Sequence, residues 1–255
     1  MSMISVIIPT LNAEASLNRA LASLLSANSQ GIIREVIICD GGSTDRTHVL
    51  ATEAGARLLV GAKGRGVQLK RGAAAARGDW LLFLHADTVL APGWEAPAVE
   101  HMGSAFDRVA AIFRLRFSRR GFAPSLVAFG ANLRSRVFRM PYGDQGLLIS
   151  RAHYDRLSGY APLPLFEDVD FIRRLVKDGG RSAVRMLPAV AITSAARYEK
   201  DGYARRVARN LRCVSLYFAG VSPHRILEIY NGQGRQTLVD RDGQAAPGGQ
   251  GKDAP

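Results

Sequence analysis

The chain has 255 residues, a formal net charge of +12, and a composition that is 47% hydrophobic and 22% charged. This balance is typical of globular proteins and excludes disorder along the whole chain. The length allows one large domain or two small ones, with enough residues for a core in either case. The positive charge indicates nucleic acid, an anionic membrane surface or a phosphorylated substrate as a partner, unless it serves solubility alone.

The lack of a recognisable targeting signal and the pattern of cysteines predict a cytoplasmic protein. No apolar run approaches the roughly 20 residues that a membrane-spanning helix needs. Residues 1–4 lead straight into a strand-like segment and lack the basic and apolar regions of a secretory signal. Cys39 and Cys213 lie far apart without motif spacing, so we expect neither a disulfide scaffold nor a zinc site made of cysteines.

Residues 1–90 alternate between short apolar runs and helical patterns. Apolar runs at 5–8, 35–39, 56–60 and 80–84 predict four strands, with Pro9 ending the first of them. Helical spacing at 16–25 and an alanine-rich segment at 66–77 predict helices, and residues 43–45 offer a helix cap. Such an alternation is typical of a parallel sheet covered by helices on both faces, so the predicted fold class is α/β.

Polar side chains gather at the points where these strands end. The polar residues that follow the first, second and fourth strands are Thr10, Asn12, Glu14, Asp40, His85 and Asp87. Parallel sheets bind their ligands beyond the carboxyl ends of the strands. The sequence therefore predicts a polar binding site at this edge of the sheet.

The second half of the chain has a different pattern. Strict alternation at 113–117 predicts a half-exposed, antiparallel strand. Residues 108–143 contain eight arginines and no acid, and 125–138 has the pattern of a basic amphipathic helix. Acidic residues at 167–170 open a predicted helix that runs to Lys177, and a further helix is predicted at 203–219. The composition after residue 231 predicts a disordered tail.

Asp87 is the strongest single candidate for chemistry. A carboxylate at the end of a buried strand can hold Mg²⁺ or Mn²⁺, which prefer oxygen ligands and can bind substrate phosphates at their open positions. The same carboxylate can instead cap the turn that begins at Thr88. His85 is a candidate second ligand or a hydrogen-bond donor to a ribose, and its structural alternative is a packed histidine at the sheet edge.

Two further segments allow both a functional and a structural interpretation. The three carboxylates at 167–170 surround a helix start, where they act as caps or where one of them serves as a general base. The glycine-rich segment 61–66 has the order G-x-x-G-x-G and follows the third strand, so it differs from a dinucleotide-binding fingerprint. Lys63 and Arg65 can contact a diphosphate from this segment, or the segment is an ordinary turn.

In this order, the segments resemble the family 2 glycosyltransferases of the GT-A fold, over roughly residues 4–180. Residues 6–14 and 35–47 resemble the first and second nucleotide-binding strands of that family, and 72–78 resembles the helix that leads to its metal strand. Asp87 matches the last acid of the family's Asp-x-Asp metal motif. Glu167 and Asp168 match its Glu-Asp pair, whose Asp is the usual catalytic base.

The chain departs from the family pattern at two positions. His85 replaces the first acid of the metal motif, and Lys70 stands where the family often has Asn. Segments 85–88, 142–146 and 194–198 are similar to a bacterial subset with a His-Ala-Asp-Thr metal motif, known as rSAM/selenodomain-associated transferases.

The resemblance implies a GT-A type, Rossmann-like fold: a mostly parallel sheet flanked by helices, with a smaller antiparallel acceptor-side part. It implies a single domain at 1–231, followed by a tail at 232–255. Within that domain, 1–90 would be the nucleotide-binding half, 91–200 the acceptor half, and 201–231 the C-terminal helices.

The resemblance also implies an inverting enzyme that moves a sugar from a nucleoside diphosphate donor to an acceptor hydroxyl. Asp168 would be the catalytic base, and Asp87 would hold Mn²⁺ or Mg²⁺ on the diphosphate. The implied nucleotide-binding residues are Thr10, Asn12, Glu14, Asp40, Lys70 and His85. The implied contacts to the acceptor or the diphosphate are Asp144, Glu167, Arg197 and Tyr198.

The arginine-rich segment favours a phosphorylated or lipid-linked acceptor and a peripheral position at an anionic membrane surface. No nucleic-acid motif accompanies the charge, so we expect no nucleic-acid partner. Two other classes stay open at this point. A nucleotidyltransferase would need a basic glycine-rich loop directly after the first strand, which 9–12 lacks. The presence of His85 in place of an acid keeps open a degenerate, non-catalytic basic binding protein.

Overall fold

The computed structural model describes residues 3–104 and 108–230. The chain separates into two compact units, Met1–Val207 and Ala208–Pro255. The tail predicted at 232–255 lies outside the described residues, and the domain boundaries predicted from the sequence stay predictions.

One mixed sheet organises the described part of the first unit. Its strands are β1 Ile4–Thr10, β2 Ile33–Asp40, β3 Arg57–Val60, β4 Trp80–Phe83, β5 Thr88–Leu90, β6 Ala110–Phe117, β7 Leu147–Ser150 and β8 Val184–Thr193. They follow one another across the sheet in the order β3-β2-β1-β4-β7-β6-β8-β5. Strands β1 to β4 are parallel to one another, as the alternation of strands and helices predicts.

Pro9 does not end the first strand, contrary to the prediction. It lies within β1 and pairs with Cys39 of β2. Alternate residues of a strand face the same neighbour, and the Ile7 carbonyl accepts a hydrogen bond from Leu84 N at 3.0 Å. Pro9 faces that same side, beyond the last residue of β4, Phe83. Its missing N–H therefore removes no hydrogen bond between strands.

Strand β6 corrects the predicted strand direction at 113–117. It is antiparallel to β7 at Ala111 and Leu148, but it is parallel to β8 along most of its length. The antiparallel prediction is therefore wrong for the longer pairing. Alternation reports that one face of a strand is exposed, and Arg114 and Arg116 do lie exposed on that face. It carries no information on the direction of the neighbouring strand.

Helices of the first unit cover the sheet on both faces. They are α1 Glu14–Ala22, α2 Leu25–Ser29, α3 Thr47–Glu53, α4 Arg65–Ala75, α5 Glu95–Gly103, α6 Phe122–Phe138, α7 Arg151–Arg156, α8 Glu167–Gly179 and α9 Ala196–Asp201. Helix α10, Tyr203–Phe218, begins in the first unit and continues into the second, which also contains α11, Pro223–Tyr230. The segment 16–25, which was predicted as one helix, contains most of α1 and the first residue of α2. Among residues 3–104 and 108–230, none of the helices is both long enough and apolar enough to span a membrane.

Two apolar clusters pack on opposite faces of the sheet. Val6 and Ile8 belong to one cluster and Ile7 to the other, because successive side chains of a strand point to opposite faces. Helix α4 packs very closely on the second face. A Cβ atom at Gly72 would lie 2.5 Å from the Cys39 Sγ atom, so only glycine lets α4 approach β1 and β2 this closely.

Helix α6 differs from the basic amphipathic helix predicted at 125–138. Its inward side includes the buried residues Ala128 and Ser135. Its outward side carries large exposed apolar residues, namely Phe122, Leu126, Phe129, Leu133 and Val137. Small residues of α6 thus face the interior, and its large apolar residues lie on the exposed side, where the prediction expects basic residues.

Candidate active site

Asp40 ends β2 and organises the loop that follows. Its two carboxylate oxygens accept hydrogen bonds from the Thr10 hydroxyl at 2.9 Å, from Gly42 N at 2.8 Å and from Ser43 N at 2.7 Å. His48 Nε2 lies 2.8 Å from Oδ1. Burial favours the neutral acid, but hydrogen bonds from Ser43, His48 and Thr10 outweigh it and hold the pKa of Asp40 below its usual range. Asp40 is thus a fully satisfied buried anion that shapes the loop.

Asn12 and Glu14 join the loop after β1 to the loop after β2. Asn12 has a φ of 51°, a left-handed conformation that asparagine tolerates, and its Oδ1 accepts a hydrogen bond from Thr44 N at 2.9 Å. Glu14 Oε2 accepts from Arg46 N at 3.2 Å. The structure therefore brings Thr10, Asn12, Glu14 and Asp40 together at the carboxyl ends of β1 and β2.

Gln68 is a residue of this region that the sequence analysis missed. Its buried amide donates to the carbonyl oxygens of Thr10 at 2.7 Å and Cys39 at 2.6 Å, so it ties α4 to the ends of β1 and β2. Lys70, which was predicted to bind the nucleotide, is exposed. Two residues along a helix amount to more than half a turn, so Lys70 lies on the opposite side of α4 from Gln68. The structure does not bring Lys70 to the other predicted site residues.

His85 and Asp87 lie in the turn between β4 and β5. Thr88 N donates to the His85 carbonyl at 3.1 Å, and Ser194 N donates to the Asp87 carbonyl at 3.2 Å, which fixes the turn on both sides. Burial, together with the positive charges of Arg65 and Arg197, holds the pKa of His85 well below its usual range. The imidazole is therefore neutral near pH 7, which is the form that can ligate a metal.

A short 3-10 turn, Gly143–Gln145, meets the His85 side chain and the start of α8. Gly143 N donates to Asp168 Oδ2 at 2.7 Å. A Cβ atom at Gly143 would lie 2.6 Å from His85 Nε2 and 3.5 Å from Asp168 Oδ2. The side chains of His85 and Asp168 therefore both approach Gly143, and the site requires glycine at that position. Spacing along the chain gave no signal of this contact.

Asp144 follows directly and is held among charged groups. The pKa of Asp144 is raised to about 6, chiefly by burial; the positive charge of Arg134 opposes this rise, and the nearby carboxylates Asp168 and Asp87 add to it. Its Oδ1 atom is buried without a hydrogen-bond partner. A buried carboxylate oxygen of this kind is a group that a cation or a ligand donor would satisfy.

Glu167 and Asp168 begin α8, directly after a strained residue. Phe166 has a φ of 65°, an unusual conformation for an aromatic residue, and it aims the first turn of α8 toward the 3-10 turn. Arg65, the first residue of α4, lies 3.3 Å from Glu167 Oε1. Burial raises the pKa of Glu167, against the opposing effect of Arg65.

Gly66 allows this ion pair to form. A Cβ atom at Gly66 would lie 2.2 Å from the Ala161 carbonyl and 3.2 Å from Glu167 Cβ, so α4 can meet the segment before α8 only with glycine there. The glycine-rich segment 61–66 therefore allows close packing, which places Arg65 beside Glu167. Lys63 is exposed at the same end of α4.

Arg197 and Tyr198 occupy different environments. Arg197 is exposed at the start of α9, yet its charge acts on His85, so it lies near the site. Tyr198 packs its ring edge-on against Phe117, with centroids 5.0 Å apart, and stacks on Tyr203 at 5.5 Å. These contacts give Tyr198 a packing role between β6 and the start of α10.

The residues around Asp87 and Asp144 provide only some of the ligands that a divalent cation needs. In the described ranges, no three His, Cys, Asp or Glu side chains converge into a complete metal site. Asp87 and Asp144 nevertheless lie close enough for their charges to interact, and the unpartnered oxygen of Asp144 is a hard donor of the kind that Mg²⁺ prefers. Mg²⁺ is commonly held by one or two carboxylates together with substrate phosphates. The arrangement therefore fits a metal whose remaining ligands come from a bound diphosphate.

A mainly parallel half-sheet with loops and acids at its carboxyl edge is a Rossmann-like arrangement, which binds its ligands at that edge. The sequence profile described as "Glycosyl transferase family 2" matches residues 5–150 of the chain. That match covers more than half of the sequence, and the chain therefore belongs to glycosyl transferase family 2. The predicted family is confirmed.

The curated relatives match a part of the chain. It is 35% identical to glucosyl-3-phosphoglycerate synthase of Mycobacterium tuberculosis over 95 residues, which are 34% of this chain and 29% of that protein. It is 40% identical to the PGL/p-HBAD biosynthesis glycosyltransferase of Mycobacterium bovis over 95 residues, which are 34% of this chain and 36% of that protein. The aligned part thus spans about a third of each relative.

Solved structures extend the likeness in fold. The crystal structure of the Mycobacterium tuberculosis glucosyl-3-phosphoglycerate synthase with Mn²⁺, UDP and glucosyl-3-phosphoglycerate is similar with a TM-score of 0.56 and 24% identity. The similarity covers 76% of this chain and 70% of that chain. The predicted GT-A type, Rossmann-like fold is confirmed.

We expect Gly143→Ala to disturb the site more than the fold. The added methyl group would meet His85 Nε2 at 2.6 Å, so the 3-10 turn or the imidazole must shift. The expected cost in stability is about 1–3 kcal/mol, as for other overpacked sites. Melting temperature and nucleotide binding measure the two effects. Gly103→Ala is the matched control, because a Cβ atom there has no neighbour within 4 Å, and equal effects of both changes would contradict the prediction.

Proposed function

We propose that this chain is an inverting, metal-dependent glycosyltransferase that moves a sugar from a nucleoside diphosphate donor to an acceptor hydroxyl. The observation that carries the proposal is the convergence of His85, Asp144 and Asp168 around Gly143, with Asp87 close by. These groups come from three separate parts of the chain and meet at the carboxyl edge of the sheet. Family membership and the relatives' named activity support the same class.

The roles of the residues follow from their surroundings. Asp168 lies in the first turn of α8, and one of its oxygens accepts a hydrogen bond from Gly143 N. It takes the proton from the acceptor hydroxyl. Thr10, Asn12 and Glu14, in the loops held by Asp40, line the base and the ribose. Arg197 contributes positive charge on the diphosphate side.

Asp87 and His85, with Asp144, would hold the cation. When bound, a divalent cation neutralises the negative charge that builds on the departing nucleoside diphosphate. Glu167 is occupied by Arg65, so it acts by holding the first turn of α8 in place.

The finer identity of donor and acceptor is also a proposal. Structural neighbours crystallised with UDP, Mn²⁺ and phosphoglyceric acid support a UDP-sugar donor and a phosphorylated acceptor. The excess of arginine at 108–143 supports a phosphorylated or lipid-linked acceptor at an anionic membrane surface. The sequence His85-Ala86-Asp87-Thr88 supports membership of the rSAM/selenodomain-associated subset.

A thermal-shift panel with Asp87→Ala tests the donor and metal assignment. The panel contains UDP, GDP, their sugar conjugates, CMP-sugars and NAD, each with Mn²⁺, Mg²⁺ or EDTA. We expect one nucleoside diphosphate to raise the melting temperature only with metal, because ligands that bind the folded state stabilise it by mass action. Asp87→Ala is expected to abolish this shift.

Asp155→Ala is the matched control, since Asp155 is an exposed carboxylate on α7. Stabilisation that survives both EDTA and Asp87→Ala would contradict the metal assignment. Release of pyrophosphate instead of a nucleoside diphosphate would favour a nucleotidyltransferase. Absence of any nucleotide shift, together with salt-sensitive binding to DNA, would favour a non-catalytic basic protein.

A further inference from the structure

Helix α6 presents a continuous apolar stripe to solvent. The stripe consists of Phe122, Leu126, Phe129, Leu133 and Val137, which are between 41% and 84% exposed. Their spacing of three to four residues places them on one side of the helix, opposite Ala128 and Ser135. Exposed apolar side chains are ordinary when they are scattered, but a contiguous stripe of this length indicates a partner surface.

The surroundings of the stripe are strongly basic. The Asn132 side chain ties α6 to β6 by accepting from Leu115 N at 2.8 Å and donating to the Leu115 carbonyl at 2.9 Å. The neighbouring strand residues Arg114 and Arg116 are exposed. Because Arg114, Arg116 and Arg136 are exposed and 108–143 contains no acid, two copies of this face would repel each other. An anionic surface complements it.

A groove of about 810 Å³ opens beside the stripe. Phe129 and Leu133 line one part of it, while Arg114, Arg136 and Arg139 line another. An apolar wall next to guanidinium groups suits a molecule with an apolar body and an anionic head. Phospholipids of the anionic class have this combination, and Arg binds their phosphates with several donors.

The other side of α6 holds the candidate active site. The Ser135 hydroxyl donates to Gln145 Oε1 at 2.5 Å, and the Arg134 guanidinium lies 3.5 Å from the centre of the Tyr142 ring. Tyr142 directly precedes the 3-10 turn that carries Asp144, and Gln145 is the last residue of that turn. The same helix therefore positions the turn and exposes the apolar stripe.

We propose that α6 lies flat in the surface of an anionic bilayer, with the stripe at the boundary between headgroups and acyl chains. A helix with large apolar residues on one face and arginines beside it has this mode of binding, and it does not cross the membrane. The inference rests on the proposed function in one respect, because it supplies the surface at which a lipid-linked acceptor would reach Asp168.

Flotation of the full chain with vesicles tests the proposal. We expect the chain to float with vesicles of phosphatidylcholine and phosphatidylglycerol, not with phosphatidylcholine alone, and to lose binding in high salt. The double variant Phe129→Ser, Leu133→Ser is expected to bind about tenfold more weakly or worse, because two apolar side chains are lost. Leu25→Ser, Val60→Ser removes two exposed apolar residues elsewhere and is expected to bind like wild type.

Arginine variants test the charge separately. Arg114→Gln and Arg136→Gln are each expected to weaken binding about fivefold, since a basic residue near an anionic surface contributes about 1 kcal/mol. Arg19→Gln and Arg34→Gln are exposed controls on other elements and are expected to change little.

A thermal shift with UDP and Mn²⁺ is measured on the same proteins and is expected to be equal in all of them. If the wild-type chain does not float with anionic vesicles but still binds UDP, this inference is overturned and the proposed function stands. Retained flotation without any nucleotide binding would support the inference and count against the proposed function. Equal binding to neutral vesicles, or a dimer that Phe129→Ser, Leu133→Ser dissolves in the absence of lipid, would also overturn it.

Discussion

Replacing Asp168 by asparagine is expected to lower the rate of sugar transfer by about 100-fold to 10,000-fold, the range typical of a lost general base. Asparagine has nearly the same shape and can still accept the hydrogen bond from Gly143 N, so the 3-10 turn should keep its position. Its amide cannot take a proton from the acceptor. The rate is measured as UDP release from UDP-glucose, and binding as the thermal shift with UDP and Mn²⁺.

Asp170→Asn is the matched control for this change. Asp170 lies two residues further along α8 and pairs with Arg174 Nη2 at 2.7 Å, away from Gly143. We expect it to retain most of the activity. A similar loss in both variants would mean that Asp168 acts on the stability of α8. An unchanged rate in Asp168→Asn would remove Asp168 from the reaction altogether.

Asp40→Ala is expected to cause the largest loss of stability among the site residues. The change leaves Gly42 N, Ser43 N and the Thr10 hydroxyl without their acceptor at a fully buried position. Charged hydrogen bonds contribute about 1.5–3 kcal/mol each, and the losses are not additive, so about 3 kcal/mol or more is expected. For a domain of this size, the melting temperature should fall by roughly 10 °C.

The pH dependence gives this prediction a second readout. The pKa of Asp40 is lower in the folded protein than the usual 3.8, so its contribution is complete above that value and is lost as the pH falls through the folded pKa. The difference between wild type and Asp40→Ala should therefore shrink in acid. Asp79→Ala is the control, because the Asp79 carboxylate is exposed and its hydrogen bond from Met3 N is long, at 3.3 Å. A difference that grows in acid would contradict the assignment.

The parallel half of the fold was predictable from local patterns. Apolar runs at the four strands, separated by helical spacing, specify buried parallel strands, because both faces of such a sheet are covered. Because ligands bind at the carboxyl ends of parallel strands, the same patterns place Thr10, Asp40, His85 and Asp87 at one edge of the sheet. Strand direction around β6 was not predictable, since alternation at 113–117 records exposure alone.

Several important residues of the site gave no usable signal. Gln68 reads as an ordinary helix residue, yet its amide joins the ends of two strands. Gly66 and Gly143 lie in segments where glycine is common in turns, and each is required by an approach from a distant part of the chain. Lys70 is the opposite case, because matching a family position could not reveal that it is exposed and lies on the other side of α4 from Gln68.

By itself, the sequence determined the α/β class, the four parallel strands, the family, and the acids available for chemistry. These properties depend on patterns within a few residues, such as apolar periodicity and the position of polar residues after strands. Only the tertiary structure decided that His85, Gly143 and Asp168 meet, that Arg65 is committed to Glu167, and that α6 turns an apolar stripe outward. Each of these depends on contacts between segments far apart in the chain, which local patterns do not encode.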